Sequence, residues 1–311
     1  MSNIKNITIV GSKSVLTQHI VSALIAAAFN VTILSRLDTA VEQSAFPPSV
    51  VFKSADYASH ESLVEALKGT DAVISLIGAM GLASQLALID AAVSAGVKRF
   101  IPSEFGSDLQ NAKTRALPFL AAKLPSEERL AKAHEESGLE YDLVVTGLFL
   151  EFGLFDDVHN LNLLGVSIPN RVADFIDGGN VKISSSSLPF VGSAVASILQ
   201  HPARNGFVRV WNMQKTSREV LTVIQEFTGT EDWKYLNTTS EELRTRAMAL
   251  LQTPEGLWPS IGLQVKVAIG GEGYGNDFNN DNERLGLKAL TDEEFKAIVK
   301  EAVEKAGAAK K

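Results

Sequence analysis

The sequence has no cysteine among its 311 residues. Disulfides, thiolate metal sites and cysteine nucleophiles are therefore excluded. It also lacks a long hydrophobic run, since residues 21–29 fall far short of the ~20 residues that a membrane helix needs. The chain starts at Met1 without the apolar stretch of a signal peptide. We therefore expect a cytoplasmic protein that does not partner a membrane.

Basic residues are not in excess. The chain has 29 lysines and arginines against 36 acidic residues, a net charge of −7, and its basic residues are scattered. This balance argues against a nucleic-acid partner. A hydrophobic content of 45% with only 10 prolines is typical of a packed globule. At this length one large domain and a smaller one are expected.

Short apolar runs alternate with helical patterns in the first half, which is typical of parallel strands buried on both faces. The sequence thus predicts an α/β fold with a doubly wound, Rossmann-like parallel sheet. Residues 1–150 would form the dinucleotide-binding domain, and residues 151–311 a smaller substrate region with segments that return to the first. Strands are expected at residues 7–10, 31–34, 50–52, 72–76, 99–101 and 141–145. Helices are expected at residues 15–28, 62–67, 84–95 and 126–137.

After Gly147 the pattern loosens. Residues 188–199 predict a helix that returns to the first domain, and residues 208–210 a strand. The serines at 184–187 and the Trp258-Pro259 pair indicate loops, as do the glycines of residues 270–275. A capping signal, Thr-Asp-Glu-Glu from Thr291, predicts a final amphipathic helix.

The first strand-to-helix turn reads Gly11-Ser12-Lys13-Ser14-Val15. A dinucleotide turn has glycines for tight turning, for backbone approach to pyrophosphate and for helix–sheet packing. Only Gly11 is present, and Ser14 and Thr17 stand where the second and third glycines would fall. The helix N-terminus still offers N–H groups to an anion. The turn is therefore either a phosphate site assisted by Lys13 or a vestigial turn with a solvated lysine.

Arg36 ends the second predicted strand. An acidic residue here would bind the ribose 2′-hydroxyl of NAD, whereas arginine suits the 2′-phosphate of NADP. Arg36 therefore favours NADP, and the alternative is a surface arginine at a strand end.

The sequence is identified, from motifs spread over the whole chain, as a member of the NmrA-like, isoflavone-reductase-like family, and we expect a fungal-type member. The most specific is Arg-Phe-Ile-Pro-Ser-Glu-Phe-Gly at residues 99–106, which resembles the isoflavone reductase and phenylcoumaran benzylic ether reductase branch. Further matches are Asp56-Tyr57, residues 67–75, Gln85 with Asp90-Ala91-Ala92, Gly147-Leu148-Phe149, Asp177-Gly178-Gly179 and Leu285-Gly286-Leu287.

The resemblance implies an atypical short-chain dehydrogenase that binds NADP(H). It also implies a lysine near the nicotinamide that donates or accepts a proton. Lys123 matches that position best, although its distance to Tyr141 is about one helical turn longer than in the reductases; the alternative is a surface lysine at a helix start. The predicted cofactor residues are Gly11, Ser12, Lys13, Ser14, Val15, Arg36, Ile77, Gly78, Pro102 and Ser103.

Three functions remain open from the sequence. The first is an NADPH-dependent reductase of a small aromatic or polyketide-like metabolite, with Phe149, Phe152 and Phe155 either in the substrate pocket or in the core. The second is a non-redox isomerase, dehydratase or cyclase, motivated by the altered glycine turn. The third is a non-catalytic dinucleotide sensor of the NmrA type. No metal is expected, because the five histidines are dispersed. A homo-oligomer is compatible with the sequence.

Overall fold

The computed structural model describes residues 4–78, 81–155 and 161–308. Its central feature is a sheet of seven parallel strands. These strands are β1 Asn6–Val10, β2 Asn30–Arg36, β3 Val51–Ala55, β4 Ala72–Ser75, β5 Arg99–Ile101, β6 Glu140–Val145 and β11 Gly206–Arg209.

The strand order is β11-β6-β5-β4-β1-β2-β3. From β1 the chain winds through β2 and β3 in one direction, and then through β4, β5 and β6 in the other. The direction reverses between β1 and β4, and ligands of open α/β sheets bind beyond the carboxyl ends of the strands at such a point. The predicted doubly wound α/β fold is confirmed.

Helices cover both faces of this sheet. Helices α1 and α8 pack on one face with the core residues of β1 and β2, and α2, α3 and α6 pack on the other. The bounds are α1 Thr17–Ala26, α2 His60–Leu67, α3 Leu82–Ser94, α4 Ala112–Arg115, α5 Pro118–Ala121, α6 Leu124–Ser137 and α8 Leu188–Gln200. No helix within the described ranges is long and apolar enough to cross a bilayer.

The remaining elements form two small sheets and their helices beside the main sheet. The first sheet has the order β12-β10-β7 and the second β13-β9-β8. The strands are β7 Leu148–Phe149, β8 Val166–Ser167, β9 Val172–Ile176, β10 Lys182–Ser186, β12 Met213–Thr216 and β13 Lys234–Thr238. The helices are α7 Leu150–Leu154, α9 Ser217–Thr228, α10 Ser240–Leu250, α11 Leu257–Gly270 and α12 Asp292–Ala308.

Helix α8 and strand β11 come after residue 150 and still belong to the main sheet. Strand β11 pairs with β6 through Val208 and Val144. Helix α8 lies so close to α1 that a Cβ on Gly192 would come within 2.4 Å of the His19 carbonyl oxygen. The chain therefore leaves the main sheet after β6 and contacts it again at α8 and β11.

The second half is more regular than its sequence suggests, and two loop predictions are wrong. Ser184, Ser185 and Ser186 lie on buried strand β10. A polar strand is tolerated there because two of its three hydroxyls are bonded: Ser186 Oγ donates to the Thr146 carbonyl at 2.8 Å, and Ser184 Oγ accepts from Gln214 Nε2 at 3.0 Å. Trp258 belongs to α11, since the following proline lies in the first helical turn, where no N–H is needed.

The element predictions for the first half are confirmed, with shifted bounds. The third strand, expected at residues 50–52, extends to Ala55, and the first helix begins at Thr17 rather than at residue 15. The capping signal of the last helix is also confirmed. Thr291 Oγ1 accepts from the Glu294 N–H at 3.2 Å, and the Glu294 carboxylate accepts from the Thr291 N–H at 2.8 Å.

Candidate active site

The turn between β1 and α1 depends on Gly11. Its φ is +120°, a region that L side chains rarely adopt, and a Cβ there would lie 2.7 Å from the carbonyl oxygen of Leu76. The end of β4 therefore approaches the turn too closely for any side chain. Gly11 fulfils the conformational requirement that the first glycine of a dinucleotide turn normally meets.

The residues at the second and third glycine positions bind the turn to itself. Ser14 Oγ accepts from the backbone N–H of Leu16 at 3.3 Å. Thr17 Oγ1 donates to the Gly11 carbonyl at 2.7 Å, and Thr17 is buried. Side-chain hydrogen bonds thus fix a turn that has one glycine instead of three.

The turn retains groups that suit an anion. The hydroxyl of Ser12 is buried and has no hydrogen-bond partner among the described residues. Within the same part of the chain, no acceptor receives the backbone N–H of Ser12 or of Lys13. The ammonium of exposed Lys13 lies on the same turn. A phosphate there would satisfy donors that the protein itself leaves unused.

A cavity of about 490 Å³ opens at this turn, where the sheet order reverses. It brings together seven of the ten predicted cofactor residues: Gly11, Ser12, Lys13, Ser14, Arg36, Ile77 and Gly78. Val15, Pro102 and Ser103 are not among its lining residues. Ser103 instead supports the wall, because its Oγ donates to the Ile77 carbonyl at 2.8 Å and its N–H donates to Gln85 Oε1 at 2.9 Å.

Sequence reasoning missed half of the lining. The additional residues are Ser35, Thr39, Tyr57, Leu76, Gly81, Ser84 and Trp258. Most follow directly from topology, because they lie at the ends of β2, β3 and β4 or at the start of α3. Trp258 had no such signal, since it comes from α11 in the other half of the chain.

Arg36 and Tyr57 form the outer end of the cavity. The Arg36 side chain is 64% exposed, and its Nε lies 3.7 Å from the Asp38 carboxylate. The Tyr57 hydroxyl donates to the Leu34 carbonyl at 3.2 Å. Burial raises the pKa of Tyr57, and the positive charge of Arg36 only partly opposes this. Tyr57 therefore stays a neutral donor, while Arg36 can exchange a weak surface partner for a phosphate.

Lys123 lies elsewhere, immediately before α6 and beneath the loop that follows β5. Its ammonium donates to the Glu104 carbonyl and lies 3.4 Å from the Glu104 carboxylate. The Lys123 side chain is only 12% exposed, so it is not a solvated surface lysine. It is not among the lining residues of the large cavity. The structure therefore joins Lys123 to Glu104 of the Pro-Ser-Glu-Phe-Gly segment.

A second acid–base pair adjoins the first. Arg115 Nη1 lies 3.1 Å from the carboxylate of Glu127, which is also buried. Burial raises the pKa of Glu104; the charge of Lys123 opposes the shift and that of Glu127 adds to it. Burial likewise raises the pKa of Glu127 against the effect of Arg115. Each carboxylate also has one buried oxygen without a hydrogen-bond partner in the described part of the chain. We call Glu104, Arg115, Lys123 and Glu127 the charged cluster.

The three phenylalanines do not surround Lys123. Phe149 packs edge-on to Phe152, with ring centroids 5.6 Å apart. Phe152 and Phe155 line a separate cavity of about 160 Å³ between α7, β8 and α12, and Lys123 is not in its lining. The Lys305 ammonium lies 4.6 Å from the Phe155 ring centroid. All three rings are half-buried and pack against the hydrophobic core. They therefore contribute to packing even without a ligand.

Comparison with known proteins agrees with this geometry. Residues 3–219 match the NmrA-like family. The chain belongs to the NmrA-like family. Oxidoreductase aprR of Aspergillus flavus is 33% identical over 304 residues, 94% of this chain and 98% of its own length. Isoflavone reductase homolog IRL of Zea mays is 36% identical over 157 residues, 48% of this chain and 50% of its own. The predicted isoflavone-reductase-like, fungal-type membership is confirmed.

Solved structures share the fold of this NmrA-like chain. AtPrR2 with NADP+ and (+)pinoresinol superposes with a TM-score of 0.73 at 22% identity, covering 97% of this chain and 100% of that one. The leucoanthocyanidin reductase–NADPH complex from Vitis vinifera gives 0.70 at 20% identity, over 89% and 90%. At these identities the likeness establishes the α/β architecture.

Proposed function

We propose that this protein is an NADPH-dependent reductase of a small aromatic or polyketide-like molecule. The observation that carries the proposal is the cavity at the reversal of the strand order, whose lining includes both the Gly11 turn and Arg36. Relatives named oxidoreductase and isoflavone reductase homolog support it. Neighbours of the same fold are described with NADP+ or NADPH.

The residues of the cavity fit an NADP molecule. Gly11 lets the turn pack against the Leu76 carbonyl, where a Cβ would clash, and the unpartnered Ser12 hydroxyl would bind a phosphate. Arg36 would bind the 2′-phosphate as a charge-assisted partner, in place of its contact with Asp38. Ile77 and Gly78 would form the floor beyond the turn, with Ser103 fixing the Ile77 carbonyl. When bound, NADPH supplies a hydride.

Lys123 is the proposed proton carrier of the chain. Its ammonium has three donors, and the polar atoms that it contacts within the described residues are the carbonyl and the carboxylate of Glu104. It could therefore present a proton to a substrate oxygen while Glu104 holds it in place. Phe149, Phe152 and Phe155 stay the proposed aromatic contacts of the substrate.

Calorimetric titration with NADPH and with NADH tests the proposal. We expect NADPH to bind at least tenfold more tightly, because a 2′-phosphate paired with arginine is worth about 1.5–3 kcal/mol. Absorbance at the nicotinamide band would then follow NADPH oxidation with a panel of isoflavones, aromatic enones and quinones. A protein that binds neither dinucleotide contradicts the proposal.

One observation favours the non-redox alternative. The Ser14 hydroxyl accepts a hydrogen bond from the Leu16 N–H, a donor at the helix N-terminus that could otherwise bind a phosphate. An isomerase, dehydratase or cyclase would tolerate this loss, and absence of dinucleotide binding would favour it. Tight NADPH binding without oxidation by any compound of the panel would favour the sensor.

A further inference from the structure

Trp258 belongs to the C-terminal half of the chain, yet it lines the cavity formed by the N-terminal sheet. It is the second residue of α11, and it lines that cavity together with Gly11–Ser14, Ile77 and Gly78. The residue is 57% exposed. A large indole is thus left partly in solvent beside a turn made of glycine, serine and lysine.

Helix α11 is held rigidly behind this tryptophan. Ser260 Oγ donates to the Ala247 carbonyl of α10 at 2.7 Å, and Gln264 Oε1 accepts from the Phe119 N–H of α5 at 2.8 Å. The buried ammonium of Lys266 lies 2.5 Å from the Asp174 carboxylate of β9. These three anchors lie in the first three turns of α11 and hold the helix that carries Trp258 in place before any ligand arrives.

The chemistry of the cavity determines what an indole can do there. The turn offers N–H groups, a hydroxyl and the Lys13 ammonium, all of which suit phosphate. Trp258 adds a flat apolar surface, which suits an aromatic ring and gains free energy when it is covered. A dinucleotide has both parts, phosphates and flat heterocycles. The neighbouring Leu257 is also exposed and does not line the cavity.

We propose that Trp258 is a binding residue for the dinucleotide, and that its indole covers the bound cofactor and closes the cavity from the C-terminal region. This inference rests on the proposed function, because it assumes that NADPH occupies the cavity beside the Gly11 turn. It makes the cofactor a bridge between the two halves of the chain. Trp258 thereby supplies the apolar contact that the polar turn lacks.

The test is calorimetric titration of NADPH into the wild type, Trp258→Ala, Trp258→Phe and the matched control Leu257→Ala. We expect Trp258→Ala to raise the Kd at least about fivefold, the lower end for loss of one aromatic stacking partner. Trp258→Phe should keep most of the affinity, and Leu257→Ala all of it. Because Trp258 is exposed, the variants should melt within a few degrees of the wild type, which circular dichroism will verify.

Tryptophan fluorescence gives a second readout. NADPH should quench emission in the wild type, and the quenching should fall in Trp258→Phe, which retains Trp211 and Trp233. Equal NADPH affinity in all four proteins with unchanged quenching would overturn the inference and leave the proposed function intact. A wild type that binds no NADPH would contradict both.

Discussion

The cavity at the Gly11 turn, which we call the dinucleotide cavity after its proposed ligand, and the charged cluster are opposite kinds of site. In the cavity, Lys13 and Arg36 are exposed, and the Ser12 hydroxyl has no partner in the described ranges. In the charged cluster, Lys123 already contacts Glu104, and Arg115 contacts Glu127. The first site has exposed charges and unpaired donors that a ligand can bind, whereas the second has buried charges that are already paired with one another.

This difference has an energetic consequence. Arg36 loses little when it leaves Asp38, because a surface pair is worth at most about 1 kcal/mol. A buried carboxylate such as Glu104 is costly to leave unpaired, by about 3–5 kcal/mol. Binding of a phosphate at Arg36 therefore costs little more than one surface contact. A reaction at Lys123 must instead proceed with Glu104 still in contact, so that the two act as a unit.

The largest expected effect is at Lys123, where substitution should separate chemistry from binding. Lys123→Ala should lower turnover by roughly 10²-fold or more, the usual scale for a lost acid–base group. Lys123→Arg should lower turnover almost as much, since a guanidinium does not release its proton near neutral pH. The Kd for NADPH should change little, because Lys123 does not line the dinucleotide cavity. Steady-state rates with an active compound of the panel, together with calorimetry, measure both.

Lys132→Ala is the matched control for this variant. Lys132 lies on the same helix, α6, is 67% exposed and makes a surface pair with Glu136 at 3.5 Å. We expect its removal to leave turnover unchanged. Near wild-type turnover of Lys123→Ala would remove the proton carrier from the mechanism and move the non-redox alternative ahead.

Arg36→Ala should have the next largest effect, and it should change the affinity for NADPH. The variant should bind NADPH at least about tenfold more weakly, through loss of one charge-assisted contact. NADH should bind as before, because it has no 2′-phosphate. Calorimetry with both dinucleotides measures the ratio. Equal weakening of both, or of neither, would mean that Arg36 is a surface arginine paired with Asp38.

The two sites also differ in how far the sequence could predict them. The cavity follows from local signals, since a strand, a glycine and a helix in succession fix the turn, and parallel strands place their carboxyl ends together. Gly11, Arg36 and Gly78 could therefore be named in advance. The order of the strands could not be predicted from the sequence. The position of Tyr57 in the lining of the cavity depends on that order.

The charged cluster and Trp258 could not be derived in the same way. Glu104 and Lys123 are joined by the fold of the loop after β5, and Glu127 was an ordinary acidic residue on a predicted helix. Trp258 reaches the cavity only because buried polar groups of α11 bond to α5 and β9. Such contacts connect residues more than 90 positions apart, and no sequence period reveals them.

Glu104→Gln should change the pH dependence of stability, which is a smaller effect. Burial raises the pKa of Glu104 above its ordinary value of 4.5. The folded chain therefore keeps this proton to a higher pH than the unfolded chain does. The free energy of unfolding then falls as the pH rises from 4.5 through the raised pKa, by at most about 1.4 kcal/mol per pH unit. Glu104→Gln should flatten this decline in urea unfolding series.

Glu128→Gln is the control for that measurement, because Glu128 is exposed on α6 next to buried Glu127. It should show the same decline as the wild type. If Glu104→Gln also followed the wild-type curve, the carboxyl would be solvated, and the contrast between an open and a closed site would not hold.

The smallest expected effect is that of a substitution at Ser14. It tests whether the unpaired donors of the turn bind the phosphates of NADPH. Ser14→Gly removes a hydroxyl that accepts from the Leu16 N–H and a Cβ beside the path of the pyrophosphate. The Leu16 N–H would then face the ligand, and the backbone could approach it more closely. We expect NADPH to bind a few-fold more tightly, by about 0.5–1 kcal/mol. The gain is partly offset because glycine loses more conformational entropy when it is fixed in the turn. An unchanged or higher Kd would mean that the Ser14 hydroxyl itself contacts the phosphate, or that no dinucleotide binds at this turn.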